Sequence, residues 1–346
     1  MELEIGRDLD SDDFFFERIV RVASSGDGRI FVLDAGAPDL KVFGPAGKYL
    51  TAFGRAGAGP REFTHPADLL LSDSSVSVTD VMQRRLTTYT LEGKHIETRR
   101  FDNTGADRPG YIVYEMRGGS VLIVTGPIVT NGGGSVFHDL YTSVLLKTVR
   151  PPKLDTLVRI RADLALYRRP GAWIANASTM GVGDGGAWAL LGDSMLALVN
   201  GHTGMVRWMS VAANGARVQR SAKLSRKLRP VTRQDVVTMK RQSRAEMPYY
   251  KNVALEFSEI PTHWSVASRA LFADNGSLWI GPPYPTGSTG QWTVFPSGNA
   301  NAFSVSLPSA FTLSSVRGER LYGHAKSEDE TPIVQVYAMP SRSRLR

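Results

Sequence analysis

The sequence predicts an all-β fold, a single six-bladed β-propeller spanning residues 1–346. Three observations carry this expectation. Ile30 to Leu50 aligns with Val76 to Ile96 at a constant offset of 46 residues, and five of 21 positions are identical: Val32/Val78, Asp34/Asp80, Leu40/Leu86, Gly47/Gly93 and Lys48/Lys94. Each copy reads as short alternating strands (RIFVLD, DLKVFG, KYLTAFG) joined by Asp-Gly, Ala-Gly or Glu-Gly turns. A period of about 40 to 50 residues holding four short strands marks a propeller blade. Fainter copies begin at Tyr111, Gly186, Leu271 and Phe311, which gives six units, the last lacking a fourth strand. ELEIG, from Glu2 to Gly6, is a spare strand at the other end of the chain. The two termini are therefore expected to share the closing blade and leave no open sheet edge.

Between the first two units lies GRAGAGPREF, Gly54 to Phe63. It is not a phosphate cradle, because it lacks the Lys-Ser/Thr end of a P-loop and carries Glu62 where a dinucleotide loop needs glycine. It reads instead as the crossing from an outer strand to the next inner strand, with Phe63 as a plug between two blades. The segment DGRIFVLDAGAPDLKVFGPAGKYLTAFGRAGAGPREFTHP resembles the six-bladed, NHL-like β-propellers of bacteria. In those, a Gly-rich stretch ending G-P-x-x-F-x-x-P links successive blades, and Gly59, Pro60, Phe63 and Pro66 stand at those places. The resemblance is specific over Glu17 to Phe101, looser from Gly186 to Tyr337 and poor from Asn103 to Gly185. It implies a fold and a binding face; the family covers sensors, scaffolds and lyases, so it implies no single activity.

Strand direction alternates within a blade, so the loops sort by parity onto two faces. Gly54 to Phe63, GPIVTNGGGS, NGHTG, GPPYPTGSTG, HAKSEDETP and an insert over about residues 224–261 share one face. The other face receives tight turns at Asp27-Gly28, Glu92-Gly93, Asn214-Gly215 and Asn275-Gly276. Elaborated loops over a rigid scaffold are the usual place for a site. The candidates there are Arg55, Arg61, Trp264, Arg269 and Tyr284, and for acid–base chemistry His65, His202, His263 and His324.

Charge points to the same face. The net charge is +8, yet Arg217 to Lys251 holds eleven Lys/Arg against Asp235 and Glu246, so the remainder is about neutral. Thr232 with Asp235 forms a capping-box pattern, and Val236, Met239, Ser243 and Met247 trace one face of a helix that Pro248 stops. Arg233, Lys240, Arg241 and Arg244 on the opposite face would present positive charge to an acidic peptide, a protein or a small anionic ligand. Nucleic acid is disfavoured because aromatics are not interleaved with these cations. A further basic run closes the chain at residues 340–346.

Several chemistries lack their residues. No HExxH or paired-His spacing occurs, and of the expected inner strands only Glu17, Asp68 and Glu115 offer oxygens, so neither a metal nor a cofactor is expected. In DLDSDD the aspartates Asp8, Asp10 and Asp12 fit the start of a Ca²⁺ loop, but Asp13 and Ile19 replace its glycine and glutamate. There is no G-x-S-x-G elbow and no cysteine. No apolar run spans a membrane, and the acidic start is not a secretory signal, so a cytoplasmic monomer is expected, or an extracytoplasmic one if a leader was removed. The leading expectation is a non-catalytic binding or scaffold propeller. The alternative is a lyase or hydrolase using a loop histidine with an arginine to hold developing negative charge.

Overall fold

The computed structural model describes residues 1–6, 12–101, 111–116, 119–125, 128–132, 135–139, 141–149, 152–161, 164–169, 172–177, 186–238, 254–256, 263–282, 288–298 and 300–340. The strands form six four-stranded antiparallel blades. After β1 (Leu3–Ile5), blade 1 is β2 (Ile19–Ser24), β3 (Ile30–Asp34), β4 (Asp39–Phe43) and β5 (Tyr49–Phe53). Blade 2 is β6 (Pro66–Leu71), β7 (Ser75–Asp80), β8 (Arg85–Thr90) and β9 (His95–Arg100).

Blade 3 falls where the sequence repeat is weakest. It consists of β10 (Tyr111–Glu115) and β11 (Val121–Thr125), then the separate hairpin β12 (Ile128–Gly132) and β13 (Ser135–Asp139), then β14 (Tyr141–Val149) and β15 (Pro152–Arg161). A second hairpin, β16 (Leu164–Arg169) and β17 (Ala172–Ala177), precedes blade 4: β18 (Gly186–Leu191), β19 (Met195–Asn200), β20 (Met205–Ala212) and β21 (Gly215–Lys223). Then come β22 (Ala254–Glu256), which pairs with β16, and blade 5: β23 (Ala270–Phe272), β24 (Leu278–Ile280), β25 (Thr289–Phe295) and β26 (Phe303–Pro308). β27 (Thr312–Arg317), β28 (Arg320–Lys326) and β29 (Pro332–Ala338) form blade 6, which β1 completes through Leu3↔Val336 and Ile5↔Val334.

The stretch expected as a helical insert is more varied. Residues 224–232 have no regular structure apart from a bridge between Pro230 and His263, 233–238 are helical, and 254–256 form a strand. The capping box forms: the Asp235 N–H donates to Thr232 Oγ1 at 3.1 Å, and the Thr232 N–H donates back to the Asp235 carboxylate at 2.8 Å. Ala254–Glu256, beyond the Pro248 stop of the expected helix, supplies an extended partner for an otherwise open edge of the β16–β17 hairpin. Met239, Lys240, Arg241, Ser243, Arg244 and Met247 lie outside the described residues, as do Tyr284, most of DLDSDD and the tail beyond Pro340.

Each seam between blades has its own apolar cluster. Phe31, Phe53 and Tyr89 join blades 1 and 2; Leu86 and Ile123 join 2 and 3; Tyr114, Leu146 and Leu198 join 3 and 4. Trp208 and Phe295 join 4 and 5, Trp279 and Leu313 join 5 and 6, and Ile5, Val32 and Tyr322 close the ring. Phe63 is fully buried in the first seam. It fits there because Gly54, at φ 78°, leaves space: a Cβ on Gly54 would lie 2.1 Å from the Phe63 ring. Gly6 and Phe16 repeat the device at the closing seam, with Gly6 at φ 110°. Glycine alone meets both conditions, a positive φ and an aromatic ring against its Cα.

The repeated aspartates also have a defined task. Asp34 ends β3 and accepts the backbone N–H groups of Glu17 (2.7 Å), Arg18 (2.9 Å) and Gly36 (2.8 Å). Asp80 ends β7 and accepts those of Thr64 (2.6 Å), His65 (3.1 Å) and Gln83 (3.0 Å). Each carboxylate ties the crossing into a blade to that blade's own loop, satisfying donors that neither strand nor helix pairs. Asn200 plays a related part in blade 4 through the N–H groups of His202 and Thr203.

Candidate functional site

The first strand of each blade faces the central channel, and β2, β6, β27, β23 and β18 contact one another in ring order. These strands run from the face of long loops to the face of tight turns. A cavity of about 520 Å³ occupies the turn-face end of the channel, with lining from all six blades. Leu69, Leu71, Leu190, Phe272 and Val316 give an apolar wall, while Ser24, Ser72, Ser75 and Ser315 add hydroxyls. Arg21, Glu115, Asp193, Asp274 and Arg317 bring charge of both signs. An apolar wall with a few placed polar groups is the general character of a small-molecule site.

A polar chain crosses the channel wall. Arg21 Nε lies 3.4 Å from Asp68 Oδ1, and the Tyr114 hydroxyl donates to Asp68 Oδ2 at 2.6 Å. Burial, together with the adjacent Asp68 carboxylate, pushes the Tyr114 hydroxyl well above its usual pKa, so it remains a donor. Tyr114 also meets Trp188 edge-on at 5.4 Å. Glu115 pairs with Arg99. Of the three carboxylates that the sequence offered as metal oxygens, Asp68 and Glu115 are each tied to an arginine, and among the described residues no three His, Asp or Glu cluster to hold an ion.

The sequence candidates scatter around the ring. His65 is exposed on the crossing into blade 2, His202 is exposed in blade 4, and His263 pairs with Pro230 ahead of blade 5. Arg55 is exposed and bound to Glu62 at 2.7 Å; Arg61 and Arg233 are exposed. Trp264 is buried at 4 % exposure, with the Arg229 guanidinium 5.0 Å over its ring and its Nε1–H donating to Asp235 at 3.3 Å. Its indole anchors the start of the insert. None of these side chains lines the cavity.

Arg269 and His324 are the pair that the fold brings together. Arg269 immediately precedes β23, and its Nη1 donates to the Leu313 carbonyl at 3.2 Å in blade 6. Burial, then the Arg269 charge, hold His324 down at about 4. Burial, then Arg21, also lower the Arg269 pKa, although Arg269 keeps solvent-exposed surface. Arg21 escaped sequence reasoning because nothing in IVRVAS separates it from any arginine on an exposed strand position.

Comparison with known proteins agrees with this architecture. A family described as a 6-bladed beta-propeller matches residues 10–118. That match is at the level of six-bladed propellers and does not single out the NHL-like type. No curated protein matches the sequence. Among solved structures, a Bacteroides fragilis protein described as exported aligns with a TM-score of 0.51 at 10% identity, over 95% of this chain and 93% of that one. Virginiamycin B lyase from Staphylococcus aureus aligns at 0.42 and 12% identity, over 97% and 88%. A gluconolactonase from Xanthomonas campestris aligns at 0.45 and 10%, over 94% and 88%. At these identities the likeness concerns the fold: this chain is built as a six-bladed β-propeller.

Proposed function

We propose that this protein is a non-catalytic ligand-binding propeller whose channel takes a small amphipathic molecule, or the end of a peptide, from the turn face. The observation that supports this reading is the 520 Å³ cavity, to which every blade contributes and which combines a leucine-rich wall with a charged rim. A ring of six independent strands gives such a cavity a rigid shape before a ligand arrives, which lowers the ordering cost of binding.

The enzymatic alternative rests on His324 beside Arg269. A general base works best with a pKa near the working pH, and an imidazole held at about 4 is neutral but weakly basic. The remaining candidate histidines lie on separate loops. Binding is therefore the better reading of the same residues.

The test is native mass spectrometry of the intact protein from its own host, followed by thermal denaturation with whatever co-purifies. A retained small molecule or peptide should raise the melting temperature of the wild type and not that of Leu71→Glu, which places a carboxylate on the apolar wall. Conversion of the retained molecule to product would refute the non-catalytic reading, and equal stabilisation of Leu71→Glu would refute the location.

A further inference from the structure

At the head of the inner strand β23, Arg269 is a cation without a carboxylate partner among the described residues. Arg21 is partly neutralised by Asp68 at 3.4 Å. Arg269 has no carboxylate partner among the described residues; its one hydrogen bond is to the Leu313 carbonyl, through Nη1. Its Nε and Nη2 edge is left unbonded. Next to it, Nδ1 of His324 is buried without a hydrogen-bond partner. A buried ring nitrogen without a partner costs free energy unless something occupies that position, and an arginine fork matches a planar carboxylate through two parallel hydrogen bonds. Arg269 is not itself among the side chains lining the cavity; Arg21 is, and it precedes Val22, whose carbonyl accepts the Ser315 hydroxyl at 3.0 Å, two residues along β27 from the Leu313 carbonyl that holds Arg269.

We infer that Arg269, with Arg21 alongside and His324 Nδ1 as a further hydrogen-bonding contact, forms a carboxylate-binding subsite, and that the channel's ligand is an amphipathic carboxylate. Its apolar part lies on the wall of Leu69, Leu71, Leu190 and Phe272, and its carboxylate points toward Arg269. This inference rests on the channel-binding reading and adds the chemical class of the ligand. Inorganic phosphate can also meet an arginine fork but carries no apolar part to lie on the leucine-rich wall, so the wall favours the amphipathic carboxylate.

Calorimetry on the full chain with sodium octanoate, 1-octanol and inorganic phosphate as probes tests it. Octanoate should bind wild type about 10- to 100-fold more tightly than octanol, the range given by a charge-assisted pair. Arg269→Gln should bring octanoate down to the level of octanol and leave octanol unchanged. Arg269→Lys retains the charge but not the fork and should lose only a few-fold, about 2- to 5-fold, which keeps the test open if the glutamine variant does not fold. Equal binding of octanoate and octanol by wild type, undiminished octanoate binding by Arg269→Gln, or tighter phosphate than octanoate binding would overturn the subsite while leaving a channel that binds apolar ligands. If neither octanoate nor octanol binds, the channel reading and the subsite both fail.

Discussion

Asp80→Ala is the perturbation that most directly examines how the repeated sequence holds the ring together. Asp80 is 1% exposed and accepts three backbone N–H groups, from Thr64, His65 and Gln83, as well as the Thr64 hydroxyl at 3.1 Å. Alanine removes every acceptor at once. A buried donor left without a partner costs about 1–3 kcal/mol, and water can reach the half-exposed crossing at Thr64 and His65, so the low end of that range applies to each. The sum is about 3–4 kcal/mol. Asp80→Asn keeps one carbonyl oxygen in place and loses the charge assistance, for about 1–1.5 kcal/mol. Urea unfolding followed by tryptophan fluorescence measures both, and the variants should shift the midpoint with an unchanged slope. Asp34 occupies the same position one repeat earlier, with bonds of 2.7, 2.9 and 2.8 Å, so Asp34→Ala should fall in the same range. If Asp80→Ala costs less than about 1 kcal/mol, the carboxylates do not staple the blades and the repeat identity has another cause.

Two other perturbations follow from the same structure. Arg226 donates to the carbonyls of Val266, Ile280, Gly281 and Gln291 and to Thr293 Oγ1, at 2.7 to 3.0 Å, and burial lowers its pKa to about 10. Arg226→Met should destabilise the fold by about 3 kcal/mol and open the following segment to limited proteolysis, and an unchanged cleavage pattern would count against its role as the anchor. Asp39 and His324 set opposing pH dependences. Burial, opposed by Lys41 and reinforced by Asp34, raises Asp39 from 3.8 to about 6, so the stability tied to its protonated form is present below pH 3.8 and lost as pH rises to about 6. His324, lowered from 6.5 to about 4, acts in reverse: the stability tied to its neutral form is present above pH 6.5 and lost as pH falls toward 4. At 1.36 kcal/mol per pH unit each contributes about 3 kcal/mol, and in wild type they nearly cancel between pH 4 and 6. Chemical denaturation of Asp39→Asn should therefore show stability falling on acidification relative to wild type, and His324→Gln should show it rising; parallel profiles for all three proteins would reject both assignments.

Much of the ring was legible because its local devices leave marks in the sequence. The offset of 46 residues locates Asp34 and Asp80, and GRAGAGPREF already identifies Phe63 as a seam plug. One further mark was present and not read: Gly6 precedes Phe16 by ten residues and β2 follows three residues later, much as Gly54, Phe63 and Pro66 stand in the next seam. That correspondence identifies β1 as the outer strand of a blade without reference to the C-terminus. Blade 3 was obscured for a physical reason. Its b strand ends at Thr125 rather than an aspartate, a hairpin separates β11 from β14, and β14 and β15 are nine and ten residues long, so neither period nor strand length matches the first repeat. The cavity is illegible for a different reason. It draws ordinary leucines, serines and arginines from positions as far apart as Arg21 and Arg317, and only ring closure makes them neighbours.

The basic segment shows how charge counted along a chain differs from charge available to a partner. Of its eleven cations, Arg220 lies 4.8 Å over the Trp208 ring and donates to the Gly298 carbonyl, Arg226 is bound into blade 5, and Arg229 covers Trp264 and pairs with Asp235 at 3.1 Å. Arg220 thus ties β21 to the β25–β26 turn of blade 5, and Arg226 and Arg229 fasten the segment after β21 to blade 5 and to Trp264. A guanidinium already directed at carbonyls and aromatic faces contributes little to a steering field, since its donors are engaged and its position is fixed. The 520 Å³ cavity lies at the opposite, tight-turn end of the ring, and the cations on its lining are Arg21 and Arg317, neither of them in the basic segment, so the charge that a channel ligand would meet is not the charge that a count along the chain picks out.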